Sequence, residues 1–188
     1  GLALVQALSN HPRSAQLLWE YFKAKFDPLQ PAATRQRLTS TLPDIEQRFL
    51  LSLDEVQSVV DDRILRALFS AVAATVRTNF FCNPADATQD DGGLRPAGAT
   101  PERAALAVKL ESERIPHLPR PHPLYEIYVH APQVEGIHLR GAKVARGGIR
   151  LSERPDDFRT EILDLMKTQM VKNAVIVRDV VTKAVHYS

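Results

Sequence analysis

The sequence predicts an α+β chain in two parts: a helical N-terminal region, then the start of an α/β domain. Three observations carry that expectation. Apolar residues recur at helical spacing from Ser14 to Asn79. Composition breaks at Asn83 into a stretch rich in Pro, Gly, Asp and Ala, with no period. Beyond it, a β-branched alternation over 125–139 is followed by a helix and a short apolar run, the order of an α/β layer.

The elements follow in order. Leu17, Leu18, Tyr21, Phe22 and Phe26 share a helical spacing within 14–26, and Pro28 stops that helix. Residues 33–51 form a second helix with Leu38, Leu42, Ile45, Phe49 and Leu50 inward. Ser52-Leu-Asp-Glu55 has the form of a capping box, with Ser52 as N-cap. It is expected to open a helix from Leu53 to Asn79, broken near Asp61-Asp62. The buried stripe of that helix is Ile64, Leu65, Leu68, Phe69, Val72 and Val76. Trp19 and the phenylalanines are read as core, and Cys82 as a small buried residue.

Residues 104–110 are expected to be a strand. The four prolines between Ile115 and Pro123 enforce an extended, stiff segment. Tyr125–Val129 and Val134–Leu139 are expected to pair antiparallel across a turn at Ala131-Pro132-Gln133. Arg146-Gly147-Gly148 reads as a turn flanked by basic residues. Pro155 suits the first turn of the next helix, which Asp156 and Asp157 favour through its dipole. Phe158, Ile162, Leu165, Met166 and Met170 line one face, the helix ends near Val171, and 174–177 is a buried strand. The domain expectation is a helical region at 1–82, a flexible linker at 83–103, and a partial α/β domain at 104–188.

The 188 residues suffice for one domain, or one and part of another. A net charge of +2 is too slight to argue for nucleic acid. No apolar run is long enough to span a bilayer, and the first eight residues lack the basic leader of a signal peptide. The single cysteine excludes an internal disulfide framework and fits a reducing, cytoplasmic compartment. The six histidines show no metal-ligand spacing. A start without Met reads as an excerpt from something longer.

Lys143-Val-Ala-Arg-Gly-Gly-Ile-Arg150, Gln169-Met-Val-Lys172 and the run to Val177 closely resemble the substrate-binding segment of glutamate dehydrogenases, in the large NAD-specific bacterial form. His11-Pro-Arg-Ser14, Asp61-Asp-Arg-Ile-Leu-Arg66, Ile115-Pro-His-Leu-Pro-Arg-Pro121 and Val134-Glu-Gly-Ile-His-Leu-Arg140 are similar to other stretches of that family. The resemblance implies a substrate domain of that type. Arg146 stands where smaller members have the lysine that holds the substrate's side-chain carboxylate, and arginine can grip it as a bidentate fork. Gly147 and Gly148 would let backbone approach the substrate. Gln169 and Lys172 match a Gln-x-x-Lys that resembles the holder of the α-carboxylate. Their i, i+3 spacing independently puts them on one helix face.

The family continues after Val-Ile-Val with Pro, two small residues and Lys-Gly-Gly, whose lysine is catalytic. Here the chain reads Val177-Arg178-Asp179-Val180-Val181-Thr182-Lys183. Lys183 stands one place off, so no catalytic residue is assigned and the end is read as truncated or frame-shifted. No Gly-x-Gly-x-x-Gly occurs, so NAD is assigned to a C-terminal domain of the parent. The resemblance thus implies part of a homo-oligomeric enzyme acting on glutamate and 2-oxoglutarate, itself inactive when isolated. The alternative is a non-enzymatic assembly or anion-binding module, or a truncated gene remnant. Arg-Gly-Gly can be a solvated turn, and Lys172 can complement a helix dipole. Arg150, Arg154 and Arg159, with Glu153, Asp156, Asp157 and Glu161, are read as a salt-bridged helix start.

Limited proteolysis tests the two-part reading. The first cut should fall within 83–101; primary cleavage inside 53–79 would contradict it.

Overall fold

A computed structural model describes residues 2–28, 32–82, 105–116, 118–132, 134–141, 146–151, 157–172 and 180–187. For 32–39, 146–151, 169–172 and 180–187 it describes the backbone. The chain divides into two units, Gly1–Ala73 and Ala74–Ser188. The expected linker and the expected strand at 174–177 lie outside the described residues. No described helix is long and apolar enough to cross a membrane.

The first unit is helical: α1 (Leu2–Asn10), α2 (Pro12–Phe26), α3 (Ala32–Leu53) and α4 (Val59–Ala74). Pro12 occupies the first turn of α2, where a missing N–H costs nothing, and Asp27 N–H closes the other end on Lys23 O at 3.0 Å. The core takes Leu17, Leu18 and Tyr21 from α2, and Ile45, Phe49 and Leu53 from α3 at strict i, i+4, i+8 spacing. Leu65 and Phe69 come from α4. The Phe49 ring stacks on Phe69 with centroids 4.6 Å apart, and Tyr21 meets Phe69 edge-on at 5.1 Å. The last carbonyls of α4 are met by a cation: Lys25 Nζ donates to Val72 O at 3.3 Å and Ala73 O at 2.6 Å.

Several expectations are corrected here. Ser52 is not an N-cap. It sits buried in the last turn of α3, donates to Phe49 O at 2.7 Å and meets Ser14 Oγ at 2.9 Å. Extending α3 to Leu53 buries that leucine, which the capping reading would have lost. The cap of α4 is Ser58, whose Oγ accepts from Asp61 N–H at 3.2 Å while its carbonyl accepts from Asp62 N–H at 2.9 Å. The expected helix to Asn79 stops at Ala74, and Thr75–Thr78 form a strand. Val76 is therefore exposed at 40% rather than core. Leu50 and Trp19 are also exposed, Trp19 stacking its ring on Phe22 at the rim. Cys82 is exposed too. Pro43 lies inside α3, where it supplies no backbone donor.

The second unit is a six-stranded mixed sheet: β1 (Thr75–Thr78), β2 (Leu106–Leu110), β3 (Tyr125–Ala131), β4 (Val134–Arg140), β5 (Arg146–Leu151) and β6 (Val180–Tyr187). Their order is β1-β2-β3-β4-β6-β5, with β5 parallel to β6 and every other pair antiparallel. The expected hairpin forms, with Ala131 paired to Val134; Gln133 of its turn lies outside the described residues. Two readings change. Arg146-Gly147-Gly148 belongs to a strand rather than a turn, and Val180–Tyr187, given no structure by sequence, is the strand between β4 and β5. Among the described residues, the helix α5 (Phe158–Lys172) lies between the two parallel strands, whose pairing requires a crossover. Phe158, Ile162, Leu163 and Met166 of α5 bury against Ile137 and Leu139 of β4.

Two substitutions check this core. Phe49→Ala should lower stability by about 3–5 kcal/mol in urea unfolding, because a buried stacked ring is lost. Ser58→Ala should cost about 1 kcal/mol as the cap of α4 disappears.

Candidate functional site

The five candidate ligands fall on the β5–α5–β6 unit. Arg146, Gly147 and Gly148 open β5, in register with Val180, Val181 and Thr182 of β6. Gln169 and Lys172 occupy the last turn of α5. β6 is the common neighbour, pairing with β5 along its length and packing under α5. Side-chain contacts among the five lie outside the described part of the structure. What the backbone places is a glycine pair in a strand, where missing side chains allow close approach, and two polar residues one helical turn apart on the covering helix. A guanidinium, an ammonium and an amide at such positions have the chemistry to hold two carboxylates.

The described residues show how α5 is fastened to the sheet. Glu126 of β3 is only 3% exposed, yet it carries an ionisable carboxyl. Its register partners are apolar: Leu110 on β2 and Leu139 on β4. Arg159, in the first turn of α5, answers it with a fork. Nε donates to Oε2 at 3.0 Å and a terminal guanidinium nitrogen donates to Oε1 at 2.7 Å. Arg159 was expected to pair with acids at the start of its own helix; it pairs across the layers instead. A cation in a helix's first turn opposes the dipole by about 0.3–1 kcal/mol, so the arginine is there for the carboxylate. Sequence reasoning missed Glu126. The available signal was a charged residue inside an otherwise apolar, β-branched run.

The same row of the sheet reaches the candidate residues. Glu126 pairs with Leu139, Leu139 with Thr182, and Thr182 with Gly148. The carboxylate that anchors α5 therefore lies in one transverse line with the second glycine of the Arg-Gly-Gly strand.

A second polar cluster lies at the hairpin end. His130 Nδ1 meets Glu135 Oε1 at 3.0 Å across β3 and β4. The Tyr128 phenol has its pKa pushed up from 10.0 to about 12, first by burial, then by its hydrogen bond to Glu135 and that group's charge.

The chain belongs to the family described as bacterial NAD-glutamate dehydrogenase, catalytic domain, which it matches over residues 48–184. It is similar to the NAD-specific glutamate dehydrogenases of Pseudomonas aeruginosa, 44% identical over 174 residues, and Halomonas elongata, 40% over 174. In each case 93% of this chain aligns with 10% of the relative. The Mycobacterium tuberculosis NAD-specific glutamate dehydrogenase is 43% identical over 170 residues, covering 90% of this chain and 10% of its own length. The chain thus spans about a tenth of the length of these curated relatives.

Two outcomes follow from the site's electrostatics. Glu126→Ala should destabilise the chain by about 1.5–3 kcal/mol, since it takes a charged hydrogen-bond partner from the partly buried Arg159. Tyr128 acts at high pH. Its folded pKa of about 12 lies above the ordinary 10.0, so its neutral phenol contributes stability fully below pH 10. That contribution is lost as pH rises through 12. Unfolding measured across that window should lose stability less steeply in Tyr128→Phe than in the parent chain.

Proposed function

We propose that this chain is the substrate-carboxylate-binding segment of an NAD-dependent glutamate dehydrogenase, which oxidatively deaminates L-glutamate to 2-oxoglutarate and ammonia. The observation that carries the reading is the family match spanning both the Arg-Gly-Gly strand and the Gln-x-x-Lys turn, which sit on two neighbours of β6. Arg146 grips the side-chain carboxylate of the substrate, and Gln169 and Lys172 hold the α-carboxylate. Gly147 and Gly148 keep the strand free of side chains beside the ligand. Such contacts orient the substrate Cα toward a hydride acceptor and make glutamate preferable to amino acids with one carboxylate.

NAD is the hydride acceptor named for the relatives. The 188 residues contain no Gly-x-Gly-x-x-Gly fingerprint, so this segment does not fit the dinucleotide, which other parts of a whole enzyme would hold. Lys183 is given no catalytic role. In this reading a polypeptide of these 188 residues alone shows no glutamate-dependent NADH formation.

The test uses a full-length dehydrogenase carrying this segment. Losing a charged hydrogen bond to substrate costs about 1.5–3 kcal/mol. Lys172→Ala should therefore lower kcat/KM for glutamate roughly ten- to a hundred-fold while NAD affinity holds. Arg146→Ala should do likewise, and should blunt discrimination between glutamate and norvaline. If both variants keep wild-type kcat/KM, this pocket assignment is wrong.

A further inference from the structure

We infer that the Glu126–Arg159 pair is a positioning device for the substrate site: it sets where α5 lies on the sheet, and so where Gln169 and Lys172 stand relative to Arg146-Gly147-Gly148. The inference rests on the carboxylate-binding role proposed for those residues.

Three observations carry it. First, the pair ties α5 to the sheet with a two-bond fork at 2.7 and 3.0 Å. Beside it lie apolar contacts of α5 with β4: Phe158, Ile162, Leu163 and Met166 against Ile137 and Leu139. Apolar contact is non-directional and tolerates sliding or rotation of a helix on its sheet. A planar fork fixes both distance and orientation. Second, the carboxylate lies in the sheet row that runs through Leu139 and Thr182 to Gly148. The anchor is therefore referenced to the same line of backbone as the glycine strand. Third, α5 is one uninterrupted helix from the anchor to the candidate ligands. At 1.5 Å per residue, Lys172 stands about 20 Å along the axis from Arg159. A helix of that length behaves as a rod, so a change of angle at the anchor is carried to the far end. Misplacement of about 1 Å at a site can cost roughly a hundred-fold in rate.

Stability alone does not account for the pair. The register partners of Glu126 are apolar, and well-packed apolar residues commonly replace a buried ion pair without loss of stability. What such a replacement cannot reproduce is the fork's directionality.

That difference supplies the experiment, made in the full-length dehydrogenase carrying this segment. The double variant Glu126→Leu/Arg159→Met should retain the parent melting temperature to within a few degrees. It should raise KM for glutamate about ten-fold with KM for NAD unchanged. In a Lys172→Ala background the same double variant should add little, because the helix position then has less to deliver. Wild-type KM in the double variant, or an undiminished effect in the Lys172→Ala background, overturns the inference. Should the apolar pair fail to fold, Arg159→Lys keeps the charge but loses the fork. Its KM for glutamate should rise in the same direction, and an unchanged value is equally fatal. Lys172→Ala alone separates the two levels: if it leaves kcat/KM intact, the carboxylate-binding reading itself has failed.

Discussion

The second unit is organised around a carboxylate placed in an apolar row. Glu126 sits between Leu110 and Leu139 in register, where an unpaired charge is untenable. The sequence meets that requirement from 33 residues away, with an arginine on a different layer. Satisfying Glu126 therefore obliges the first turn of α5 to lie within an arginine's reach of β3, while the helix packs on β4 and β6. The apolar residues of α5 then close onto Ile137 and Leu139. Burial supplies the bulk of the attraction, and the ion pair supplies the register.

The first unit works differently. Its core is mainly aromatic and aliphatic, with Tyr21 and Phe49 both in ring contact with Phe69. Two polar side chains there finish the ends of α4. Lys25 crosses from α2 to the last carbonyls of α4, its ammonium lying 5.3 Å from the centre of the Phe26 ring. Ser58 closes the opposite end of α4. The unit therefore depends on many small packing contributions, whereas the sheet unit carries one concentrated electrostatic constraint.

Periodicity made most of the helices and the central hairpin readable from sequence. The stripe Leu17, Leu18, Tyr21 and the alternation at 125–139 have one dominant period each, and both formed as expected. Misreadings arose where two local signals competed. Ser52 and Ser58 both precede an acidic residue by three positions, and only burial of Leu53 chooses between them. Thr75–Thr78 continue a helical stripe in sequence, yet pairing with β2 takes them into the sheet. Arg146-Gly147-Gly148 carries turn chemistry, but a parallel partner eight residues long draws it into a strand. Long-range pairing is what a local pattern cannot encode. The family was legible because it is written in residue identities. The Glu126–Arg159 tie was not, because nothing local links two residues on different layers.

The buried serine pair of the first unit has a consequence for how this sequence can drift. The Ser52 proton is committed to Phe49 O, so Ser14 must donate to Ser52. Alanine at 52 takes away the acceptor that the Ser14 hydroxyl uses, in a site where both side chains are buried. Alanine at 14 leaves Ser52 still bonded to its carbonyl. The two positions should therefore covary with a direction: among homologues, alanine at 14 beside serine at 52 is an accessible intermediate, and the reverse pairing is a valley. A hydroxyl pair only 2.9 Å long thus orders the path by which two helices can be rewritten.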